Sequence, residues 1–266
     1  MTIKRILFLL DDSPRNDTRL DAAIGLARTH AASITGLYVI THSSYEPQGQ
    51  DAGTKALACQ ASFNKRMQQA GLESDWIGVD TKVVGARLSV EVVHYAYFHD
   101  LIVLGQPEHE SSDNRITAEL AERIVFGAGR PVLFIPYAGE FSHIGERVMI
   151  AWKAGRECVR TITDALPVLA KAAEIRIMEV NWTDEPDSDC LSLCKYLQSH
   201  GITAAPDRIV AETVSVGDAI LNRVSVQGAD LLIMGAYAHR LMGAMTFGEV
   251  AQHIIKYMTL PVMVAH

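Results

Sequence analysis

Short uninterrupted apolar runs alternate along this chain with segments in which apolar residues recur every three or four positions. Runs of this length are typical of strands buried on both faces of a parallel sheet, and the longer spacing is typical of helices that cover such a sheet. The pattern predicts five strands alternating with four helices in each half. The predicted strands are residues 6–10, 34–40, 80–84, 101–104 and 132–135, and then 148–151, 175–180, 209–210, 231–234 and 262–265.

The second half of the chain repeats the first. Asp100–Gly105 aligns with Asp230–Gly235 at an offset of 130 residues, and Pro131–Ile135 aligns with Pro261–Ala265 at the same offset. Self-similarity over so long a period indicates a tandem duplication. We therefore predict two α/β domains, residues 1–138 and 145–266, each built on a doubly wound sheet of five parallel strands.

Composition and charge narrow the classes of function. An apolar content of 48% with 21% charged residues is typical of a globular protein, and the net charge of −7 argues against a nucleic-acid partner. The longest early apolar run, residues 6–10, is too short for a signal sequence or a membrane span. We expect a soluble cytoplasmic protein without a membrane partner.

Several of these segments resemble the motifs of the universal stress protein family. They are the first strand with Asp11-Asp12-Ser13 after it, the strand that ends at Gly235, the later Gly248, and the closing segments after Pro131 and Pro261. The resemblance covers essentially the whole chain and is to the tandem form of the family. It implies the strand order 3-2-1-4-5 in each domain, as in adenine-nucleotide alpha-hydrolase-like folds. It also implies a stress-response role in which ATP or AMP is bound without catalysis.

The family's nucleotide loop reads G-x2-G-x9-G-[S/T], and the second half keeps this spacing with two changes. Gly235, Ala238, Gly248 and Glu249 stand at its four defined positions. Glycines there let backbone N–H groups turn toward phosphates, and a carboxylate at the start of the following helix would compete with them. Glu249 has an alternative interpretation, as a structural residue that favours the helix dipole.

Charged residues complete the candidate nucleotide sites. Lys153 and Arg240 are candidates for binding an anion beside Gly235, while Asp11 stands where the family's acidic residue contacts nucleotide. In the first half, Gly105 is followed at the aligned positions by Glu108, Ala118 and Glu119, so one of three glycines remains. The candidate nucleotide-binding residues are Asp11, Lys153, Gly235, Ala238, Arg240, Gly248 and Glu249.

Two other functions compete with nucleotide binding. One is a nucleotide-independent interaction scaffold in which both sites have degenerated. The other is a metal or redox protein that uses Cys190 and Cys194, which lie four apart on a predicted helix with His200 nearby. We expect no enzyme activity, because no G-x-S-x-G motif is present and Glu249 and Val250 occupy the Lys and Ser/Thr positions of a Walker-like loop.

The resemblance also bears on assembly. Family members dimerise by pairing their last strands, which here implies that residues 132–135 and 262–265 pair antiparallel within one chain as an intramolecular pseudo-dimer. A homodimer of such chains is a further expectation. Met242, Met245 and Phe247 are expected to pack onto the neighbouring copy or to form a partner surface.

Overall fold

A computed structural model of the protein describes residues 2–11, 13, 15–42, 51–84, 87–107, 116–181, 189–241 and 244–266. In the first half the elements are β1 (Arg5–Leu9), α1 (Asn16–His30), β2 (Ser33–His42), α2 (Asp51–Ala70), β3 (Ser74–Val84), α3 (Leu88–Ala96), β4 (Leu101–Gly105), α4 (Ala118–Ala128) and β5 (Val132–Ile135). In the second half they are β6 (Arg147–Ala151), α5 (Arg156–Leu169), β7 (Glu174–Val180), α6 (Asp189–Ser199), β8 (Ala205–Ile209), α7 (Val216–Val226), β9 (Leu231–Gly235), β10 (Ala238–Leu241), β11 (Ala244–Phe247), α8 (Glu249–Tyr257) and β12 (Val262–Ala265).

Ten of the strands form one continuous sheet in the order β3-β2-β1-β4-β5-β12-β9-β6-β7-β8. The first half therefore has the predicted order 3-2-1-4-5, and the second half repeats it from the opposite edge. Neighbouring strands are parallel except β5 and β12, which pair antiparallel with Val132 opposite Val264 and Phe134 opposite Val262. The predicted pairing of the two last strands is observed, and it removes one edge from each five-stranded sheet.

Apolar side chains alternate between the two faces of this sheet. In β1, Ile6 and Phe8 join the core under α1, α2, α5 and α6, whereas Leu7 and Leu9 join the core under α3, α4, α7 and α8. Each of the two cores contains buried residues of both halves. The apolar runs were predictive because both faces of every central strand are covered by helices.

The aspartates that begin the repeated motif fix the start of the first strand in each half. Asp100 Oδ2 accepts hydrogen bonds from the backbone N–H groups of Lys4 and Arg5, at 2.8 and 3.1 Å. Asp230 accepts from the N–H groups of Gly145, Glu146 and Arg147, at 2.7 to 3.0 Å. These carboxylates satisfy backbone donors at the sheet's amino-terminal edge, opposite the edge where ligands of such sheets bind.

The sequence pattern misplaced some elements. The edge strands β3 and β8 begin at Ser74 and Ala205, six and four residues before the predicted starts, because polar residues interrupt both strands and no long apolar run marks them. The connection after Gly235 was predicted as a loop but contains the β10–β11 hairpin. Some predictions lie partly or wholly outside the described residues. They are the loops 41–53, 105–113 and 183–189, together with the residues Glu108 and Met242.

Polar and aromatic contacts hold the two halves together. The buried Gln106 donates through Nε2 to the carbonyl oxygens of Ile255 and Lys256, at 3.0 and 2.9 Å. Phe247 packs against Phe126 of the first half with ring centroids 5.3 Å apart, as expected for packing onto the neighbouring copy. Within the described ranges, no helix is both long enough and apolar enough to cross a membrane.

Candidate functional site

Each half of the sheet has a topological switch point, where the chain leaves two neighbouring strands in opposite directions. In the first half it lies between β1 and β4, and in the second between β6 and β9. Ligands of doubly wound sheets bind in the crevice at the carboxyl ends of these strands. Asp11 lies just after β1 beside Gly105, whereas Lys153 and Gly235 lie at the ends of β6 and β9. The candidate residues are therefore divided between two crevices.

The first crevice is filled by a side chain of helix α1. Arg19 Nη2 lies 2.6 Å from Asp11 Oδ1, and the same nitrogen donates to Asn16 Oδ1. The guanidinium also lies directly against the backbone of Gly105, so that even a β-carbon there would clash with it. Arg19 and Asp11 are 4% and 1% exposed. The acidic side chain that the family resemblance assigns to nucleotide is thus bound by an arginine of the same chain.

Part of this buried ion pair lacks hydrogen-bond partners. Asp11 Oδ1 also accepts from the N–H of Ser13 at 2.9 Å, but Asp11 Oδ2 and Arg19 Nε have no partner within the part of the chain that the structure describes. Unpaired polar atoms at a buried site raise its free energy. The closed first crevice is therefore held at some cost in stability.

The second crevice is bridged by Tyr237, which follows β9. Its hydroxyl donates to the carbonyl oxygen of Lys153 and lies 3.7 Å from Cys158 Sγ. Its ring packs on Gly155, where a β-carbon would lie 3.0 Å from the hydroxyl oxygen. The Nζ of Lys153 lies 5.5 Å from the ring centroid, a cation–π contact. Burial, with Cys158 and Glu157 nearby, raises the pKa of Tyr237 above its ordinary value, so the hydroxyl stays a donor.

Gly235 serves the packing of helix α5. A β-carbon at this position would lie 2.7 Å from the backbone nitrogen of Cys158 and 2.9 Å from its Sγ. Only glycine allows β9 to approach the first turn of α5 this closely. A close helix–strand contact is therefore sufficient to explain this glycine.

The middle of the predicted nucleotide loop is a regular hairpin. Ala238 and Arg240 lie on β10, opposite Phe247 and Met245 of β11. Backbone N–H groups of a paired strand are directed to the neighbouring strand, whereas a phosphate loop needs them free. In this structure, residues 238–241 and 244–247 of the predicted loop are therefore paired with each other.

The last two candidates lie where the hairpin meets helix α8. The N–H of Gly248 donates to the carbonyl oxygen of Tyr237 at 2.8 Å and closes the base of the hairpin. Glu249 is the exposed first residue of α8. The aligned residues of the first half, Ala118 and Glu119, begin α4 in the same way, and Glu119 pairs with Arg123 on the next turn.

Sequence reasoning missed the two residues that fill the crevices. Arg19 shares the apolar face of α1 with Ala23 and Ala27, and a cation in that register is a signal of a buried ion pair. Tyr237 stands inside the glycine motif, where a large aromatic ring takes the volume that a phosphate loop would leave free. Both features can be seen in the sequence, but neither Arg19 nor Tyr237 stands at a defined position of the G-x2-G-x9-G-[S/T] motif.

The cysteine pair lies on α6. Cys190 is buried, Cys194 is half-buried, and neither forms a disulfide bond. Burial, together with Cys190, raises the pKa of the Cys194 thiol, which lowers its thiolate fraction. Among the residues that the structure describes, no group of three or more His, Cys, Asp or Glu side chains could hold a metal ion.

Several clefts in the described part of the chain are lined mainly by helices. One of about 490 Å³ runs along α8, and one of about 690 Å³ lies between α3 and α4 with Met245 at its wall. A third, of about 250 Å³, lies between α5 and α6 and includes Trp152. Cavities of several hundred cubic ångströms are the size of small-molecule sites.

Comparison with known proteins bears on family and fold. Residues 160–266 match the model of the universal stress protein family. The whole chain is similar to a universal stress protein from Archaeoglobus fulgidus DSM 4304, with a TM-score of 0.75 and 17% identity over 98% of this chain and 97% of that one. It is also similar to a functionally unknown protein from Pseudomonas aeruginosa PAO1, with a TM-score of 0.64 and 12% identity over 99% and 92% of the two chains. Identities this low establish a shared fold. No curated protein matches the chain significantly.

Proposed function

We propose that this chain acts in the cytoplasmic stress response as a nucleotide-independent scaffold of the universal stress protein family, because residues 160–266 match that family and the N-terminal half repeats the fold of the C-terminal half. In this proposal residues 1–138 and 145–266 are its two domains. The observation that carries it is that both switch-point crevices are filled by side chains of the protein itself, Arg19 in the first and Tyr237 in the second.

Arg19 and Tyr237 occupy the space and the binding partners that a nucleotide would need in the two crevices. In the first half, a ligand phosphate would have to displace Arg19 from Asp11 and would leave that buried carboxylate unpaired. Breaking one partner from a buried ion pair costs about 3–5 kcal/mol. In the second half, Tyr237 covers Gly155 and the first turn of α5, and the N–H of Gly248 is already bonded. These contacts support a protein that works through its surface.

A second candidate function is the binding of ATP or AMP, without catalysis, by the second half. One observation favours it. Tyr237 is half-buried, and a rotation of its side chain would uncover the positive end of α5 next to Lys153. A helix N-terminus beside a lysine attracts phosphate. Nucleotide would then bind only after this tyrosine moves.

The melting temperature with and without millimolar ATP–Mg²⁺ or AMP separates the two functions. The scaffold proposal expects no change for the wild-type chain. A ligand that binds only the folded state at 100 times its Kd adds about 2.7 kcal/mol to the free energy of unfolding, so a rise of several degrees would overturn the proposal.

Tyr237→Ala removes the side chain that bridges the second crevice. If this tyrosine is what excludes nucleotide, the variant gains a nucleotide-dependent rise in melting temperature that the wild type lacks. Tyr257→Ala, which truncates an exposed tyrosine on α8, is the matched control and should gain none. If neither variant responds, the second half has lost more than the space that Tyr237 fills.

A further inference from the structure

The amino-terminal ends of α3 and α4 share a cleft that lies outside both crevices. It has a volume of about 400 Å³ and is lined in part by Arg87, Ser89, Thr117, Glu119 and Arg123. Ser89, Glu119 and Arg123 also line the larger groove of about 690 Å³ between the two helices. The cleft therefore opens directly into an apolar groove.

The donors in this cleft are incompletely satisfied. Arg87 is the N-cap of α3 and provides no side-chain cap. Its carbonyl oxygen accepts from the N–H of Val90 at 3.0 Å, so the uncapped donors of the first turn are the N–H groups of Leu88 and Ser89. Ser89 is 6% exposed, lines both cavities, and its hydroxyl has no hydrogen-bond partner within the described ranges. The hydroxyl of a largely buried serine, next to N–H groups without a side-chain cap, is a donor set that suits an oxyanion.

The second half shows what occupies the equivalent place there. Ser215, the N-cap of α7, corresponds to Arg87, and its Oγ both caps the N–H of Asp218 and donates to Asp218 Oδ2 at 2.6 Å. His253 of α8 corresponds to Arg123, and its Nε2 lies 2.8 Å from Asp218 Oδ1. The Asp218 carboxylate thus lies between the N-terminus of one helix and a basic residue of the next.

Two further features concern the surroundings of the Asp218 carboxylate. The hydrogen bond from Ser215 and the pairing with His253 lower the pKa of Asp218. The His253 ring packs on Gly217, the counterpart of Ser89, so closely that a serine side chain would not fit. The second half therefore supplies its own carboxylate at this place, and His253 packs beside it.

At the position of Asp218 the first half has Val90, which is 61% exposed and carries no charge. We propose that the first-half cleft binds the phosphate or carboxylate group of a small amphipathic molecule, held by Arg87, Ser89, Arg123 and the N-terminus of α3. The anionic group takes the place that the Asp218 carboxylate has in the second half.

The adjoining groove accommodates the rest of the ligand. Its lining is largely apolar and aromatic and includes Val93, Tyr97, Phe126 and Met245. A volume of about 690 Å³ lies within the range of small-molecule sites. The ligand is therefore an anion carried on an apolar or aromatic body. The site does not depend on the proposed scaffold function, since Arg87 and Arg123 line neither crevice.

Glu119 and Glu122 both line the groove, and Glu119, which also lines the cleft, offers a test with the opposite sign. Glu119 Oε1 accepts from Nε and Nη2 of Arg123, at 3.0 and 2.5 Å. An incoming oxyanion must share Arg123 with this carboxylate. Glu119→Gln removes the competing charge, so we expect it to raise the affinity for the anion several-fold.

Isothermal titration calorimetry with phenyl phosphate, inorganic phosphate, benzoate and benzyl alcohol tests the proposal. Phenyl phosphate should bind more tightly than inorganic phosphate, and benzyl alcohol should not bind, because both the anion and the ring are needed. Benzoate separates a preference for phosphate from one for carboxylate. Arg87→Ala and Arg123→Gln should each weaken phenyl phosphate at least tenfold. Arg176→Gln, which breaks a similar exposed pair with Glu174 in the other half, should change nothing.

Val90→Asp tests the comparison between the halves directly. It places a carboxylate at the position of Asp218 on an exposed site, so the variant should fold normally. The new carboxylate should occupy the cleft, and the variant should therefore lose phenyl phosphate binding. Circular dichroism and the melting temperature verify the fold. The proposal is overturned if phenyl phosphate does not bind the wild-type chain, or if it binds Val90→Asp and the two arginine variants as tightly as the wild type.

Discussion

The guanidinium of Arg19 lies 2.6 Å from the carboxylate of Asp11 at the carboxyl end of β1, and both side chains are almost completely buried. A buried ion pair adds little to stability compared with apolar residues of the same volume, because both charges have lost their water. The pair is therefore better explained by where it lies. It fills the crevice beside Gly105 with a fixed, specific arrangement.

Removing one member of this pair should destabilise the protein strongly. Arg19→Leu leaves the Asp11 carboxylate buried without a counter-charge, so we expect a loss of about 3–5 kcal/mol in the free energy of unfolding, measured by urea titration. The double variant Arg19→Leu/Asp11→Asn should recover much of that loss, because asparagine keeps the acceptor for the N–H of Ser13. Arg123→Gln, which breaks an exposed pair, should cost less than about 1 kcal/mol. A loss below that level for Arg19→Leu would contradict a buried, uncompensated charge.

Any larger residue in place of Gly235 should destabilise the protein. Gly235→Ala puts a β-carbon 2.7 Å from the backbone nitrogen of Cys158, and a backbone atom cannot rotate away as a side chain can. We expect a loss of about 1–3 kcal/mol from overpacking, measured by thermal unfolding. Gly53→Ala in α2 is the control, because nothing lies within 4 Å of the added carbon, and it should be neutral or stabilising by up to about 1 kcal/mol. Equal effects at the two positions would contradict the packing role.

The fold was predictable from the sequence because long, repeated patterns of apolar residues specify its strands. The apolar runs at β1, β4 and β5 and their counterparts at β6, β9 and β12 gave the sheet, and the offset of Asp100 and Asp230 gave the repeat. The edge strands were placed less well, since β3 exposes every second or third residue and carries no apolar run.

The site was predictable in position but not in content. Gly235 and Lys153 lie near the second switch point because strand ends follow from the apolar runs. What fills each crevice depends on single side chains, Arg19 and Tyr237, that reach it from outside the motif or between its fixed positions. Residues 238–241 pair with residues 244–247, and no Asn-Gly or Asp-Gly turn in the sequence marks this pairing.

The contact of Gln106 with helix α8 should couple the two halves. Its amide nitrogen satisfies two carbonyl groups near the end of that helix, and its oxygen accepts from the N–H of Tyr137 at 3.1 Å. Gln106→Leu leaves these buried groups unpaired, so we expect a loss of about 1–3 kcal/mol, measured by guanidinium unfolding. The same change at the exposed Gln68 should have little effect. If Gln106→Leu is as stable as Gln68→Leu, this amide does not hold the halves together.

His30 should make the protein less stable in mild acid. Burial lowers the pKa of His30 from 6.5 to about 4, and Lys171 of the second half adds to the effect. Between these two values the unfolded chain binds a proton that the folded chain does not. The contribution of His30 to stability is therefore complete above pH 6.5 and is lost as the pH falls toward 4.

Urea midpoints between pH 7.5 and 4.5 measure this loss. The slope of stability against pH should be shallower in His30→Leu than in the wild type, and partly shallower in Lys171→Gln, where the facing cation is gone. Some slope should remain in both, because burial also lowers the pKa of His99. His200→Gln removes an exposed histidine and should keep the wild-type slope. If His30→Leu and His200→Gln show the same slope, protonation of His30 does not control stability in this range, and the contact between α1 and Lys171 has no part in acid sensitivity.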